Sequence, residues 1–140
     1  MTNQINNEVI HKEIDLIQSI INRMAQNSFM IKGWVITIFV AVIALDVQTE
    51  RFIPNLTLSI FPLAFWYIDA YYLYIERQYR NLYENRIILR RNGNSDNIYS
   101  LGLGEIGLIN VLKTMFSSTI AWFYISILGI LILTLLKKGI

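Results

Sequence analysis

Two residues of opposite charge lie inside stretches of apolar sequence, where an isolated charge is costly. Asp69 falls in the apolar segment 56–75, and Lys32 falls near the start of the apolar segment 29–45. A carboxylate in hydrocarbon faces other helices or water and finds a partner. Asp69 lies roughly 10 Å inside its segment at about 1.5 Å per residue, within reach of a long lysine side chain. The sequence therefore predicts an intramembrane ion pair between Lys32 and Asp69.

Three roles are open for this ion pair. In the simplest, it is a packing contact that fixes how the two apolar segments fold against each other. In the second, it belongs to an ion or proton path, because ionisable residues at membrane depth often mark such paths. In the third, Asp69 contacts a neighbouring subunit or stays protonated.

The second apolar segment continues, with no Gly or Pro at the junction, into a stretch that holds five arginines. Glu76–Arg80 and Arg80–Glu84 are spaced four apart, so these residues can pair along a helix. The other arginines have no such partner, and we expect them to form a cytosolic basic surface: Arg77, Arg86, Arg90 and Arg91. This surface suits anionic lipid headgroups, or alternatively an acidic partner or a nucleotide signal.

The remaining candidate motifs indicate no chemistry. Residues 102–107 match G-x-G-x-x-G, but a dinucleotide site also needs a preceding strand and a parallel sheet. His11 is the only histidine and cysteine is absent, so we expect no zinc site. No serine lies in a nucleophile motif. We therefore expect no catalytic residue, no cofactor and no enzymatic activity.

Composition places these residues in a membrane protein of one domain. The 140 residues are 54% hydrophobic and 16% charged, with a mean hydropathy of +0.44, whereas soluble domains carry about 25% charged residues. The net charge of +2 is too small to indicate nucleic acid as a partner. The partner that composition does indicate is the lipid bilayer.

Hydrophobic periodicity predicts an all-α integral membrane fold: a transmembrane hairpin with cytosolic helical extensions and a third transmembrane helix. The amphipathic helix near the C-terminus could lie along the membrane interface or dock on the other cytosolic helices. The predicted segments are a cytosolic amphipathic helix (5–28), the first span (29–45), the second span (56–75), a cytosolic helical extension (76–91), a loop (92–104), an amphipathic helix (105–116) and the third span (117–136).

Small residues recur along one face of the first span. Gly33, Thr37 and Ala41 are spaced by four, and Ala44 extends the line. Small residues let another helix approach closely in lipid. We therefore expect this face to pack against the second span or another subunit, although Gly and Ala are also common in such helices.

The distribution of Lys and Arg predicts a cytoplasmic N-terminus. With that orientation, nine basic residues lie inside and three outside, in agreement with the positive-inside rule. Aromatic residues near the proposed inner interface, such as Trp34 and Trp122, agree with it. Lys137 and Lys138 lie on the disfavoured side, a conflict that would vanish if the last segment were re-entrant or interfacial.

Three strings carry a resemblance to a known family. A helix ending in residues 22–29, NRMAQNSF, runs directly into the first span, and the second span contains FWYID at 65–69 and continues into ERQYRNLY at 76–83. Over residues 8–91, this pattern resembles the SLATT-type proteins and related octameric small membrane proteins of bacterial defence islands. Residues 105–140 depart from their two-span pattern.

The resemblance implies a function. In that family, the hairpin is thought to oligomerise and disturb the bacterial inner membrane when a partner senses infection. We therefore expect a homo-oligomeric, pore-forming or membrane-disrupting effector in anti-phage defence, acting with a soluble sensor or signal-producing partner. The alternative is a non-pore anchor that clusters a soluble partner through its cytosolic helices. A membrane enzyme or small transporter is the weakest alternative, since the spans hold few polar groups.

Overall fold

The computed structural model describes residues 7–49, 55–94 and 96–138, which form four α-helices and no β-strand. In chain order, the helices are α1 (Asn7–Thr49), α2 (Asn55–Arg91), α3 (Leu108–Met115) and α4 (Ser118–Lys138). The predicted all-helical fold is confirmed for these residues. The segment 46–55 between the first two predicted spans is helical at 46–49 and at Asn55, and residues 50–54 lie outside the described residues.

Helix α1 joins the predicted cytosolic helix and the first predicted span into one element of 43 residues. Gly33 is the only glycine in this range, and proline is absent, so no residue strongly favours a break. At about 1.5 Å per residue the helix is roughly 65 Å long. This length is about twice the ~30 Å hydrocarbon core of a bilayer, so about half of α1 would suffice to cross one.

Helix α2 likewise joins the second predicted span and the arginine-rich extension into 37 continuous residues. Pro62 lies inside this helix, where its ring removes one backbone hydrogen bond. No further proline or glycine follows before the helix ends at Arg91, so the apolar half continues directly into the charged half.

Helix α2 is the element on which the other three helices pack. Helix α1 runs antiparallel to it, because Gln18 bonds to Tyr83 whereas Ser28 bonds to Asp69. The buried core lies along α2 and is filled by apolar and aromatic side chains: Ile31, Val35, Trp66, Ala70, Leu73, Val111, Ile120, Ala121, Tyr124 and Ile127.

A sharp corner separates α3 from α4, whose axes are bent by 65°. The indole of Trp66 donates a hydrogen bond of 2.9 Å to the Met115 carbonyl at the end of α3. Helix α3 begins at Leu108, three residues after the predicted start, because Gly107 is extended at its N-cap. Helix α4 begins at Ser118 and ends at Lys138, close to the predicted third span.

The connection between α2 and α3 is the predicted loop, and it turns sharply just after α2. Gly93 has a φ of +75°, and Asn97 and Tyr99 have φ values of 56° and 60°. Only glycine adopts such angles without steric cost, and asparagine tolerates them better than most residues. The loop thereby folds back along α2, where the Tyr79 hydroxyl donates to the Leu101 carbonyl at 3.2 Å.

Within the described residues, one helix is long and apolar enough to cross a bilayer. It is α1 between Asn7 and Ala44, with a mean hydropathy of 1.8 in its most apolar window. The bent pair α3–α4 is a second candidate if the two helices are counted as one span. Helix α2 is not among the candidate spans found in the described part of the chain, and its apolar half contains Pro62, Asp69 and several tyrosines.

Candidate functional site

Asp69 is the centre of a buried polar group that we call the junction cluster: Ser28, Lys32, Asp69 and Tyr124. The Asp69 side chain is fully buried, and its Oδ2 lies 2.7 Å from Lys32 Nζ. Ser28 donates a hydrogen bond to Asp69 Oδ1, and Lys32 Nζ donates one of 2.8 Å to Ser28 Oγ. The two residues that the sequence places on facing segments therefore lie together, with one turn of α1 supplying both donors.

Tyr124 brings α4 to the junction cluster. Its side chain is fully buried, and its hydroxyl donates a hydrogen bond of 3.3 Å to the Phe65 carbonyl, one turn of α2 before Asp69. The Tyr124 ring also stacks on Trp66, with centroids 5.6 Å apart and planes 8° apart. The turn of α2 that carries Asp69 is thus contacted by both α1 and α4.

The contact between Ser28 and Lys32 contains the residue types of a serine–lysine dyad. Such a dyad needs a neutral amine that can accept the hydroxyl proton. Here Lys32 is ion-paired with Asp69, and the Ser28 hydroxyl donates to that same carboxylate. This arrangement joins α1 to α2, and it directs the Ser28 hydroxyl proton at a carboxylate rather than at an amine.

A second buried polar group lies at the other end of the hairpin. Glu13 on α1 is fully buried and accepts two hydrogen bonds from Arg90 on α2, from Nε to Oε2 at 2.8 Å and from Nη2 to Oε1 at 2.9 Å. Its Oε1 also accepts the Tyr99 backbone N–H at 3.2 Å. We call this group, with Arg86 and loop residues 94 and 96–100, the clasp.

The clasp shifts the pKa of both partners in its central ion pair. The hydrogen bond from Arg90 holds the pKa of Glu13 below its ordinary value of 4.5, although burial opposes this effect. The hydrogen bond to Glu13 likewise raises the pKa of Arg90. Both shifts favour the charged forms, so the ion pair persists at neutral pH.

Arg86 and Arg90 also bind the loop. Arg90 Nη1 donates to the carbonyls of Asn94 at 2.8 Å and Asp96 at 3.1 Å. Arg86 Nη2 donates to the Ser100 carbonyl at 2.7 Å. Arginine suits this role because its planar group carries five donors in a fixed geometry.

The structure therefore differs from the predicted basic surface at two positions. Arg86 and Arg90 are buried, with 7% and 9% of their surface exposed, because Glu13 and the returning loop cover them. Arg77 and Arg91 are exposed, and Arg77 donates to Ser117 Oγ at 2.7 Å.

The predicted small-residue face lies away from α2. Gly33, Thr37, Ala41 and Ala44 are all exposed, whereas the neighbouring Ile31 and Val35 are buried in the core. Thr37 Oγ1 donates to the Gly33 carbonyl at 2.9 Å, within its own helix. Of the two expected targets, the second span is therefore not the one that this face contacts.

The glycine-rich motif at 102–107 and the single histidine both lie among the described residues. The glycines at 102–107 lie in the loop before α3, and no strand precedes them in the described part of the chain. His11 is exposed on α1. Among the described residues, no group of three or more His, Cys, Asp or Glu could hold a metal ion.

These contacts define a structural class of protein. It is a long helical hairpin whose two helices are joined by two ion pairs, Lys32–Asp69 and Glu13–Arg90, and the bent pair α3–α4 packs on α2. Comparison with protein-family models, with curated proteins and with solved structures finds no match to this chain.

Proposed function

We propose that this chain is a multi-pass membrane protein that assembles into an oligomer and permeabilises the bacterial inner membrane. The observation that carries the proposal is the exposure of its apolar surface. In the most apolar window of α1, only 17% of the residues are buried, whereas the core helix of a soluble protein is mostly covered. Large exposed apolar side chains occur on α1, α2 and α4: Phe29, Trp34, Val40, Phe61, Leu63, Trp122, Ile132, Leu133 and Leu136. Soluble monomers rarely expose so much apolar surface.

The buried polar groups agree with a membrane at the level of the junction cluster. In hydrocarbon, an ionised side chain must be paired and turned inward. Asp69 is fully covered and paired, while apolar side chains at neighbouring positions point outward, such as Ile68 at 41% exposure. The clasp, with its two arginines and polar loop, belongs to an aqueous layer on the cytoplasmic side.

Oligomerisation is supported by geometry and by available space. Three spans cannot enclose an aqueous path, so a conducting pore needs several subunits. The small-residue face of α1 is exposed, and a Cβ atom added at Gly33 would meet no atom within 4 Å. This face can therefore accept a helix of a second copy at close range.

The role in anti-phage defence rests on the resemblance of residues 8–91 to SLATT-type proteins. In that setting, a soluble sensor or a signal from it would trigger the effector. The bent pair α3–α4 departs from the two-span pattern, so subunit number and pore geometry are not carried over.

The test is dye release from liposomes together with the particle mass in nanodiscs. We expect the purified protein to form particles of several subunits and to release a small trapped dye. Gly33→Leu should reduce both, because it blocks close helix approach without disturbing the subunit itself. Gly129→Leu on α4 is the matched control, since its added Cβ also meets no atom within 4 Å.

Two results would contradict this proposal. The first is a purified protein that is monomeric and releases no dye, together with a membrane potential that stays unchanged when the protein is induced in infected cells. This combination would exclude a pore. A protein that stays soluble without detergent would exclude the membrane itself.

A non-pore scaffold is the alternative, and one observation favours it. Ile87 and Ile88 on the charged half of α2 are 39% and 57% exposed, outside the proposed lipid layer, where a soluble partner could cover them. Ile88→Glu should then abolish capture of that partner. An oligomer that binds the partner in liposomes but stays impermeable to ions would support the scaffold.

A further inference from the structure

Helix α3 has two faces of different character. Val111 and Thr114 are buried, and Val111 belongs to the core along α2. The opposite face, together with the residue that follows the helix, exposes four large apolar side chains. Their exposed fractions are 60% for Leu108, 68% for Ile109, 42% for Leu112 and 73% for Phe116. A helix this short would not expose such a face to water without a partner.

The corner after α3 is fixed to α2 at several points. The Trp66 indole bonds to the Met115 carbonyl, and the Trp66 ring contacts Phe116 edge-on with centroids 5.7 Å apart. Arg77 donates to Ser117 Oγ at 2.7 Å and to Thr119 Oγ1 at 3.4 Å. The exposed face of α3 therefore has a defined position relative to α2.

This position lies beside the last turns of the apolar half of α2, between Trp66 and Arg77. Arg77, which holds the corner, directly follows Glu76, the first charged residue after Asp69. Helix α3 is bent by 65° from α4, so α3 lies closer to the membrane plane than to the normal when α4 spans. Lys113, the one charged residue of α3, is exposed, and a lysine at this level can reach lipid headgroups.

We propose that the exposed face of α3 binds the cytoplasmic leaflet, with Leu108, Ile109, Leu112 and Phe116 inserted at the boundary between headgroups and acyl chains. The partner is the phospholipid surface, and the helix acts as an interfacial anchor that fixes the depth of the α3–α4 corner. This inference rests on the proposed membrane location. It specifies which face of α3 binds lipid and at what depth in the bilayer.

The experiment uses nitroxide labels on single cysteines, because the chain contains no cysteine of its own. Labels replace Ile109 and Phe116 at the proposed anchor, Ile130 on α4 and Glu84 on the charged half of α2, all of which are exposed. The full chain is reconstituted in phosphatidylcholine and phosphatidylglycerol vesicles. Collision with oxygen reports lipid, and collision with a water-soluble nickel complex reports water.

We expect labels at 109 and 116 to collide mainly with oxygen, at a shallower depth than the label at 130, while the label at 84 collides with nickel. If 109 and 116 collide with nickel as much as 84 does, while 130 stays in lipid, the anchor is wrong and the membrane proposal stands. Immobile labels at 109 and 116 that neither reagent reaches would mean that protein covers this face, which also overturns the anchor. If 130 also collides with nickel, the proposed membrane function itself fails.

Discussion

Asp69 and Lys32 form one ion pair but differ in how completely the protein surrounds them. The Asp69 side chain is fully buried, whereas 23% of the Lys32 side chain is exposed. Removing Asp69 lets the lysine extend to the interface, but removing Lys32 leaves a buried carboxylate without its counter-charge. We predict that Lys32→Met lowers the free energy of unfolding in detergent by about 3 kcal/mol, and Asp69→Asn by only about 1 kcal/mol.

The double variant Lys32→Met with Asp69→Asn should recover most of the loss caused by Lys32→Met, because no unpaired charge then remains. Lys12→Met is the matched control, since the Lys12–Glu8 pair is exposed and contributes at most about 0.5 kcal/mol. Equal losses in the two single variants, with no recovery in the double variant, would show that the ion pair does not control packing.

Glu13 makes stability depend on pH in an acidic range. Its pKa in the folded protein lies below 4.5 because Arg90 donates hydrogen bonds to it. The unfolded chain therefore takes up a proton at a higher pH than the folded protein does. The contribution of Glu13 to stability is complete above the unfolded value of about 4.5 and is lost as pH falls through the lower folded value.

We predict that Glu13→Gln lowers the free energy of unfolding at pH 7 by about 3 kcal/mol, since it leaves Arg90 buried without a counter-charge. The difference between parent and variant should shrink as the pH falls below 4.5. Unfolding curves measured from pH 7 to pH 3 test this, with Asp15→Asn, at an exposed position of the same helix, as the control. A difference that is constant over this range would mean that Glu13 is not held ionised by Arg90.

The loop that closes the clasp depends on a backbone conformation that favours glycine. Gly93 has a φ of +75°, and an added Cβ would meet no atom within 4 Å. The cost of Gly93→Ala is therefore conformational, and we predict a loss of about 1 kcal/mol in unfolding free energy. Gly102→Ala is the control, because Gly102 has equal space without the positive φ. If both substitutions lower the free energy of unfolding equally, the positive φ of Gly93 does not explain the loss.

The helical elements could be predicted from sequence because they depend on local patterns. Apolar spacing and the absence of Gly and Pro across 63–91 predict the long continuous α2. The pairing of Lys32 with Asp69 could be predicted because a costly charge in an apolar segment needs an opposite charge on a neighbouring segment. The exact ends of the helices were harder to predict, as at the start of α3, because a helix end depends on single capping residues such as Gly107.

The clasp and Tyr124 could not be predicted in the same way, because their contacts join residues far apart in the sequence. Glu13 and Arg90 are 77 positions apart, and both occur in helices with polar faces, where solvation is the usual outcome. One signal was present: Glu13 lies four residues before Ile17, which is buried, on the side of the helix that faces α2. Tyr124 packs beside the Asp69 turn of α2 only because the α3–α4 corner returns the chain to α2.

At the scale of the whole molecule, the polar clusters lie at two levels along one antiparallel hairpin. The junction cluster joins α1, α2 and α4, while the clasp joins α1, α2 and the loop. If the junction cluster lies at membrane depth, the clasp must stand outside on one face. The charge distribution of the sequence predicts that this face is cytoplasmic.

This geometry makes a prediction about topology. The Gln18–Tyr83 bond of 3.0 Å and the Glu13–Arg90 ion pair place residues 12 and 85 at the same end of the hairpin. Cysteines introduced at Lys12 and Asn85, both exposed, should therefore resist an impermeant maleimide in intact spheroplasts and react after permeabilisation. A cysteine at Arg51, which the charge distribution assigns to the outside, should react in both conditions. Reaction of 12 and 85 from opposite faces would exclude the hairpin as a membrane unit, whereas reaction of both from outside would reverse its orientation.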